Sequence, residues 1–343
     1  MVQILGLVLL SFFVVSILLV PFINLLYKIK FQRQVQKTKD IFEVRTPIFD
    51  KLHAHKVGTP LGGGALIIAV VTVLYLLFIN LAPILGIERT AIYPYQKEVQ
   101  ILMFTFISYG VLGLYDDAIK TFGVKRKRFW GLRFRYKFII QWILALIISS
   151  MLYFNLGIDI INIRFFDVFN IGLLFIPFAA FTIVSFANAV NIADGLDGLA
   201  TGLLLISITA FLIMSSSILD TTISSFIGLW IGALIAFLYF NTWPARIWLG
   251  DVGVLSFGAT FAVIGLLLGK QVALVVIGGV FIVEVSSSLI QLASKKLRHK
   301  KFFEVAPLHL WFQHKGWEEP KIVFRFWLAQ IILAVFGLWL SYF

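Results

Sequence analysis

The sequence predicts an all-α, polytopic integral membrane protein with about ten transmembrane helices, both termini outside, and its chemistry in cytoplasmic loops. Composition is the first observation: 60% of the 343 residues are hydrophobic, 13% are charged, and the mean hydropathy is +0.96. A soluble body of this length needs far more polar surface, so the apolar excess has to face lipid. The second is a series of ten apolar runs, each near the roughly 20 residues that cross a bilayer. They lie at 3–27, 61–85, 98–115, 137–157, 171–188, 198–214, 223–240, 254–268, 272–293 and 323–342. The third is charge asymmetry: all but five of the 29 Lys and Arg residues fall in alternate connections.

Taken in order, the first run has only Val2 and Gln3 ahead of its apolar stretch and no small-residue cleavage site, so it reads as a retained helix. The connection at about 28–60 carries eight basic residues, from Lys28 to Lys56. The connection at about 116–136, after the third run, is as basic, from Lys120 to Arg135, with Lys137 opening the fourth run. The connections at about 189–197 and 241–253 are short, the second holding Arg246, and the one at about 294–322 is basic again from Lys295 to Lys321. The other connections hold only Arg89, Lys97, Arg164 and Lys270, and Arg325 opens the last run. The positive-inside rule puts the basic side in the cytoplasm. This placement accounts for the net charge of +12 without a nucleic-acid partner. The whole chain, 1–343, reads as one transmembrane domain. The absence of cysteine excludes disulfides, thiolate nucleophiles and Cys-ligated metals.

Four unusual segments sit at the basic-side ends of runs far apart in sequence. They are GLYDDAIK at 113–120, NAVNIADGLDGLA at 188–200, NTWPARIWLGDVG at 241–253, and APLH at 306–309. Singly, each would pass as a solvated helix end or an Asp-Gly turn. Together they bring five aspartates to one face, where charge beside the hydrocarbon is costly and usually functional. Paired carboxylates with lysines suit a divalent cation on phosphates, because Mg²⁺ takes one or two carboxylates plus substrate oxygens, while lysine supplies a point charge. The glycines beside Asp194, Asp197 and Asp251 permit close backbone approach. There is no Walker A motif, so a nucleotide would be a substrate and not a fuel. These residues fit a magnesium-dependent enzyme acting on a pyrophosphate at the membrane surface.

With these segments in view, the chain resembles the polyprenyl-phosphate N-acetylhexosamine-1-phosphate transferases, and among them the muramoyl-pentapeptide branch. The likeness covers about 53–330. It includes HKVGTPLGG at 55–63, the Asp116–Asp117 pair with Lys120, the 188–200 segment, 240–253, and KGWEEPKIVFRFW at 315–327. The resemblance implies ten spans, Mg²⁺, and undecaprenyl phosphate attacking the β-phosphorus of a UDP-linked sugar. The products would be UMP and a lipid-linked sugar diphosphate (lipid I of peptidoglycan synthesis, when the donor is UDP-N-acetylmuramoyl-pentapeptide). It further implies a homodimer in the bacterial inner membrane. By motif position it assigns Asp251 as the Mg²⁺ ligand and Asp116 and Asp117 to positioning or deprotonating the lipid phosphate. His309 joins these three as a catalytic residue. Asn188, Asn191, Asp194, Asp197 and Asn241 match nucleotide-sugar and metal-support positions. Lys56, Thr59, Lys120 and Lys137 complete the substrate-binding set, with the lysines on phosphate or UMP.

Two departures bear on the donor. The branch carries three histidines after the proline matching Pro307, whereas here His309 is followed by Leu310 and Trp311; and the Gly-Asp-x-Gly-Ser pattern ends in Val254. A relative using UDP-N-acetylglucosamine or another UDP-N-acetylhexosamine is therefore the alternative donor reading. A covalent phospho-Asp117 route competes with direct attack. Direct attack is the simpler, because a phosphate monoester with a second pKa near ~6 is already mostly dianionic at neutral pH. Glu284 reads as near mid-membrane, either a protonated acid hydrogen-bonded within the bundle near Ser286–Ser288 or a residue admitting the lipid. An ion-coupled transporter would gather its carboxylates near the midplane and show internal repeats, whereas here the carboxylates cluster at one face and no clear repeat is seen. A catalytically dead relative is the third reading, resting on the lost histidines.

Overall fold

The computed structural model describes residues 2–32, 50, 52, 56–84, 86–122, 134–163 and 167–342. His55, Arg164 and most of the basic residues expected at 28–60 and 116–136 lie outside the described residues. The chain is helical almost throughout: α1 Val2–Lys28, α2 Gly63–Leu81, α3 Tyr95–Phe122, α4 Phe134–Leu156, α5 Phe175–Ala193, α6 Leu199–Ser217 and α7 Thr221–Asn241. Then follow α8 Gly250–Leu267, α9 Gln271–Ile277, α10 Gly279–Arg298, α11 Leu308–His314 and α12 Glu319–Tyr342. Among the described residues nine helices are long and apolar enough to cross a membrane. The count is ten if α9 and α10, bent by 72° at their junction, form one span. This is the multi-pass all-helical architecture that the hydropathy runs predict.

The middle of the bundle is α8. Its apolar stretch is 94% buried, against 28% for α1, α4 and α12, and it packs most extensively on α3 and α5. An aromatic cluster fills the space between α3, α7 and α8. Phe106 stacks on Phe257 with ring centroids 5.7 Å apart and meets Phe226 edge-on at 5.2 Å, a geometry that adds to simple area burial. Close packing also needs small residues. A side chain on Gly113 of α3 would overlap the backbone carbonyl of Asp251, so glycine there lets α3 and the start of α8 touch backbone to backbone. The bundle thereby carries the first turn of its most buried helix against the polar end of α3.

Several boundaries differ from the hydropathy runs, for one shared reason. Hydropathy stops at the first charged residue, but a helix continues wherever protein groups satisfy that charge. The third span runs on to Phe122, because Asp116 and Lys120 are an i,i+4 pair 2.9 Å apart. The expected loop at 116–136 therefore begins as helix, as does that at 189–197, where α5 extends to Ala193. The eighth span starts at Gly250, so Asp251 lies in its first turn. The ninth is broken at the glycine pair Gly278–Gly279, a usual cause of a sharp kink. An antiparallel hairpin, β1 Ile160–Ile163 with β2 Asp167–Asn170, was not expected in an all-α reading. Asp159 accepts from Asn170 at 2.8 Å beside it, and Gln271 donates to the carbonyl of Ile160 at 3.4 Å, holding the hairpin to the start of α9.

Candidate active site

The polar ends of α3, α4, α5 and α8 meet around Asp251. Gly250 precedes it with a φ of +73°, a left-handed turn that glycine adopts without strain. Asp117, buried on α3, then accepts from the backbone N–H of Val252 at 3.0 Å. A carboxylate borrowed from α3 thus satisfies an otherwise orphaned donor of α8. One turn of α3 further on, Lys120 reaches across to Asp251 Oδ2 at 2.5 Å, and Lys137 of α4 meets the same oxygen at 2.6 Å. Both ammonium groups also lie 2.9 Å from Asp116 Oδ2. Asn191 of α5 donates to Asp251 Oδ1 at 3.1 Å. Asp116 is buried, whereas the Lys120 side chain is 48% exposed, so the lysine side of the cluster is open to an incoming anion.

Asp194 caps the end of α5 next to this cluster. Burial, and then the negative charge of Asp251, push its carboxyl up to about 8. Asp116, Asp117 and Asp251 face two lysines, with Asp194 a fourth acid that burial and the charge of Asp251 keep protonated, and a divalent cation would offset this crowding of acids. Among the described residues no three or more acidic or imidazole groups converge as a ready metal cage.

A second group of the expected residues forms a buried strut under this cluster. Lys56 Nζ lies 2.5 Å from Glu319 and 3.1 Å from Asp197, donates to the carbonyl of Gly195 at 3.2 Å, and sits 4.8 Å from the Trp248 ring. Asp197 in turn accepts from the N–H of Ala245 at 2.9 Å and donates its own N–H to Glu319 at 2.6 Å. Asn241 accepts from Thr201 at 2.6 Å and donates to the carbonyl of Ile247 at 2.9 Å, bracing the turn that leads into Gly250. Thr59 lies in the turn following Lys56, its N–H 3.4 Å from the Lys56 carbonyl. Asn188 points between helices, donating to Gln141 of α4 at 2.6 Å and to the carbonyl of Val184 at 2.8 Å. His309 lies buried beside Gly195, with Glu284 at 2.8 Å from its Nδ1.

The expected residues therefore divide. Asp116, Asp117, Lys120, Lys137, Asn191 and Asp251 form one cluster, exposed on its Lys120 side, with Asp194 next to it. Lys56, Asp197 and Asn241 hold the loops that frame it, and Asn188 fixes α5 to α4. Two acidic residues central to the framework fall outside the site expected from the sequence. Glu319 carries no assignment there, and Glu284 reads as a mid-membrane acid, either hydrogen-bonded near Ser286–Ser288 or admitting the lipid. The only sequence signal for Glu319 is its place inside the 315–327 segment.

The chain is similar to known proteins over nearly all its length. The model for glycosyl transferase family 4 matches residues 99–269. A phospho-N-acetylmuramoyl-pentapeptide-transferase of Thermodesulfovibrio yellowstonii is 34% identical over 352 residues, covering 96% of this chain and 90% of that protein. Another so named, of Bacillus pumilus, is 34% identical over 331 residues, covering 96% of this chain and 95% of its own. With the bundle, the acidic cluster on α3 and α8 inside the matched segment, and this coverage, the chain belongs to glycosyl transferase family 4 as a multi-pass membrane enzyme of the phospho-N-acetylhexosamine-1-phosphate transferases.

Proposed function

We propose that this protein transfers phospho-N-acetylmuramoyl-pentapeptide from its UDP donor to undecaprenyl phosphate, releasing UMP and forming lipid I for peptidoglycan. It would act as one transmembrane domain, as a homodimer, at the cytoplasmic face of the bacterial inner membrane. The names of the two relatives support the donor, and one observation carries the chemistry: Lys120 and Lys137 bridge Asp116 and Asp251, with the Lys120 side chain half-exposed. A lipid phosphate and a sugar pyrophosphate are both anions, and their approach needs positive charge that does not itself react.

In the reaction, an oxygen of the lipid phosphate bonds to the β-phosphorus of the donor as the bond from that phosphorus to the bridging oxygen breaks. UMP leaves with the electron pair. One anhydride replaces another, so the protein has mainly to position the reactants and neutralise their charge. Lys120 and Lys137 draw the phosphates in, and Asp116 and Asp251 hold those lysines in place. Asn191 orients Asp251 through Oδ1. Asp251, with Asp116 and Asp194 nearby, would hold Mg²⁺, which when bound offsets charge on the transferring phosphoryl group. Release of UMP from UDP-N-acetylmuramoyl-pentapeptide, dependent on undecaprenyl phosphate, tests the assignment. No release with any UDP-N-acetylhexosamine would reject it.

Asp117 supports direct attack over a covalent intermediate. Its Oδ2 is held by the N–H of Val252 in the first turn of α8, an arrangement that suits a positioning group. Enzyme incubated with donor labelled at the β-phosphate, without lipid acceptor, is expected to carry no label on protein, while Asp117→Asn slows turnover. Stoichiometric, chemically competent label on Asp117 would overturn direct attack.

A second donor reading has its own observation. Where the branch carries further histidines, Leu310 is buried and Trp311 holds Lys315 5.7 Å from its ring. Each missing imidazole contact to a charged group weakens donor binding by about 1.5–3 kcal/mol. The muramoyl donor is nevertheless expected to win in kcat/KM over UDP-N-acetylglucosamine. A preference for the smaller donor would move the chain to that branch and leave the transferase class intact.

A further inference from the structure

The break between α9 and α10 places Glu284 on the second turn of α10, fully buried, where it meets the start of α11. That seven-residue helix begins after Pro307, which has no N–H, and its first N–H groups need acceptors. Side chains of α10 provide them. Ser287 Oγ accepts from Leu308 N–H at 3.1 Å, and Glu284 Oε1 accepts from His309 N–H at 3.1 Å. The second carboxylate oxygen meets the ring instead, with Oε2 2.8 Å from Nδ1 of His309. The opposite ring nitrogen, Nε2, is buried and has no hydrogen-bond partner among the described residues. It lies against Gly195, where any side chain would overlap it. Leaving a buried polar atom unpaired is costly, and this one is aimed at the Asp194–Asp197 turn bordering the open cluster.

Resting on the transferase reading above, we propose that Glu284 is the positioning residue for His309. By accepting from Nδ1 it keeps that proton in place and presents Nε2, across Gly195, to the sugar nucleotide. An imidazole nitrogen is set as donor or acceptor by the hydrogen bond its other nitrogen makes. A carboxylate offers two separate acceptor oxygens, one for the backbone N–H and one for the ring.

Glutamine separates this role from simple helix capping. In Glu284→Gln the amide oxygen still accepts from His309 N–H, but the amide NH₂ now faces Nδ1 as a donor and drives the ring proton to Nε2. If Glu284 only caps α11, the variant should behave as wild type. If it positions the ring, kcat should fall on the order of 10–100-fold, with KM for the lipid acceptor held within about twofold and thermal stability retained. Rescue should be partial in Glu284→Asp, which keeps both acceptors on a shorter stem.

The ring itself can be read directly in full-length wild-type enzyme carrying ¹⁵N-labelled histidine in bilayers. The His309 signal among the five histidines is assigned by its loss in His309→Gln. The expected spectrum has the Nδ1 proton present in the neutral ring. A wild-type ring protonated on Nε2 alone, or Glu284→Gln with unchanged kcat, overturns the proposal. Should Glu284→Gln not fold, the wild-type spectrum decides. A wild-type enzyme that releases no UMP would reject the transferase reading but leave the spectrum to decide the role of Glu284.

Discussion

Asp251→Ala is expected to lower UMP release at least about a thousandfold while leaving expression and detergent stability near wild type. A thousandfold is about 4 kcal/mol of transition-state stabilisation, the scale a metal ion and its ligand supply on a transferring phosphoryl group. The structure adds a second source of the loss. Without the Asp251 carboxylate, Lys120 and Lys137 keep only Asp116 as a common partner, and Asn191 loses its acceptor. Stability should hold because the deletion also relieves crowding among the acidic groups, and because the Lys120 side chain is half-exposed to water. The measurement is single-turnover UMP release across a Mg²⁺ series, beside a melting curve of the same preparation. Turnover within tenfold of wild type would remove Asp251 from metal binding. Lost turnover together with a collapsed melting point would make it a structural residue.

The buried strut gives the largest expected effect on stability. Glu319→Ala leaves Lys56 with Asp197 as its only carboxylate among the described residues and strips the acceptor from the Asp197 N–H. Removing one member of a buried ion network typically costs about 3–5 kcal/mol, because the remaining charge stays buried without compensation. For a chain of this size the melting point should fall on the order of 5–10 °C. Glu319→Gln keeps an acceptor for the N–H and should lose less. Lys56→Met leaves two buried carboxylates facing each other and should be as damaging as Glu319→Ala; combining it with Glu319→Gln should recover part of the loss. The same variants test the expectation that Lys56 binds donor phosphate. If Lys56→Met melts like wild type but does not turn over, Lys56 belongs to substrate binding. A lowered melting point with turnover reduced only in proportion to folded protein makes it a strut.

Much of this protein is legible in its sequence because the bilayer is a simple solvent. Twenty-residue apolar runs have one favourable conformation in lipid, so the spans could be counted without any knowledge of their packing. Charge placement is equally local, since each connection carries its own lysines and arginines. The short polar segments could be located too, because charge at the edge of hydrocarbon stands out against its surroundings. Their ends were less legible: at Asp116 and at Gly250, hydropathy marks a boundary that pairing between helices moves.

What tertiary structure alone decided is which residues meet. Lys120 and Asp251 are 131 positions apart, Lys56 and Glu319 are 263 apart, and Glu284 and His309 are 25 apart, on either side of the basic stretch Lys295–Lys301. Lysine is free to pair with any acid its flexible stem can reach, so nothing in the sequence says whether Lys56 or Lys120 faces substrate. Burial separates them: the Lys56 ammonium is enclosed by two carboxylates and an indole, whereas Lys120 stays half in water. The sequence by itself determined the spans, the basic side and the acidic segments, all of which follow from the local free energy of transfer between water and lipid. The packing of α8 against α3 and α5 decided which charges face an anion and which hold the frame, because electrostatic pairing depends on distances that only the assembled bundle defines.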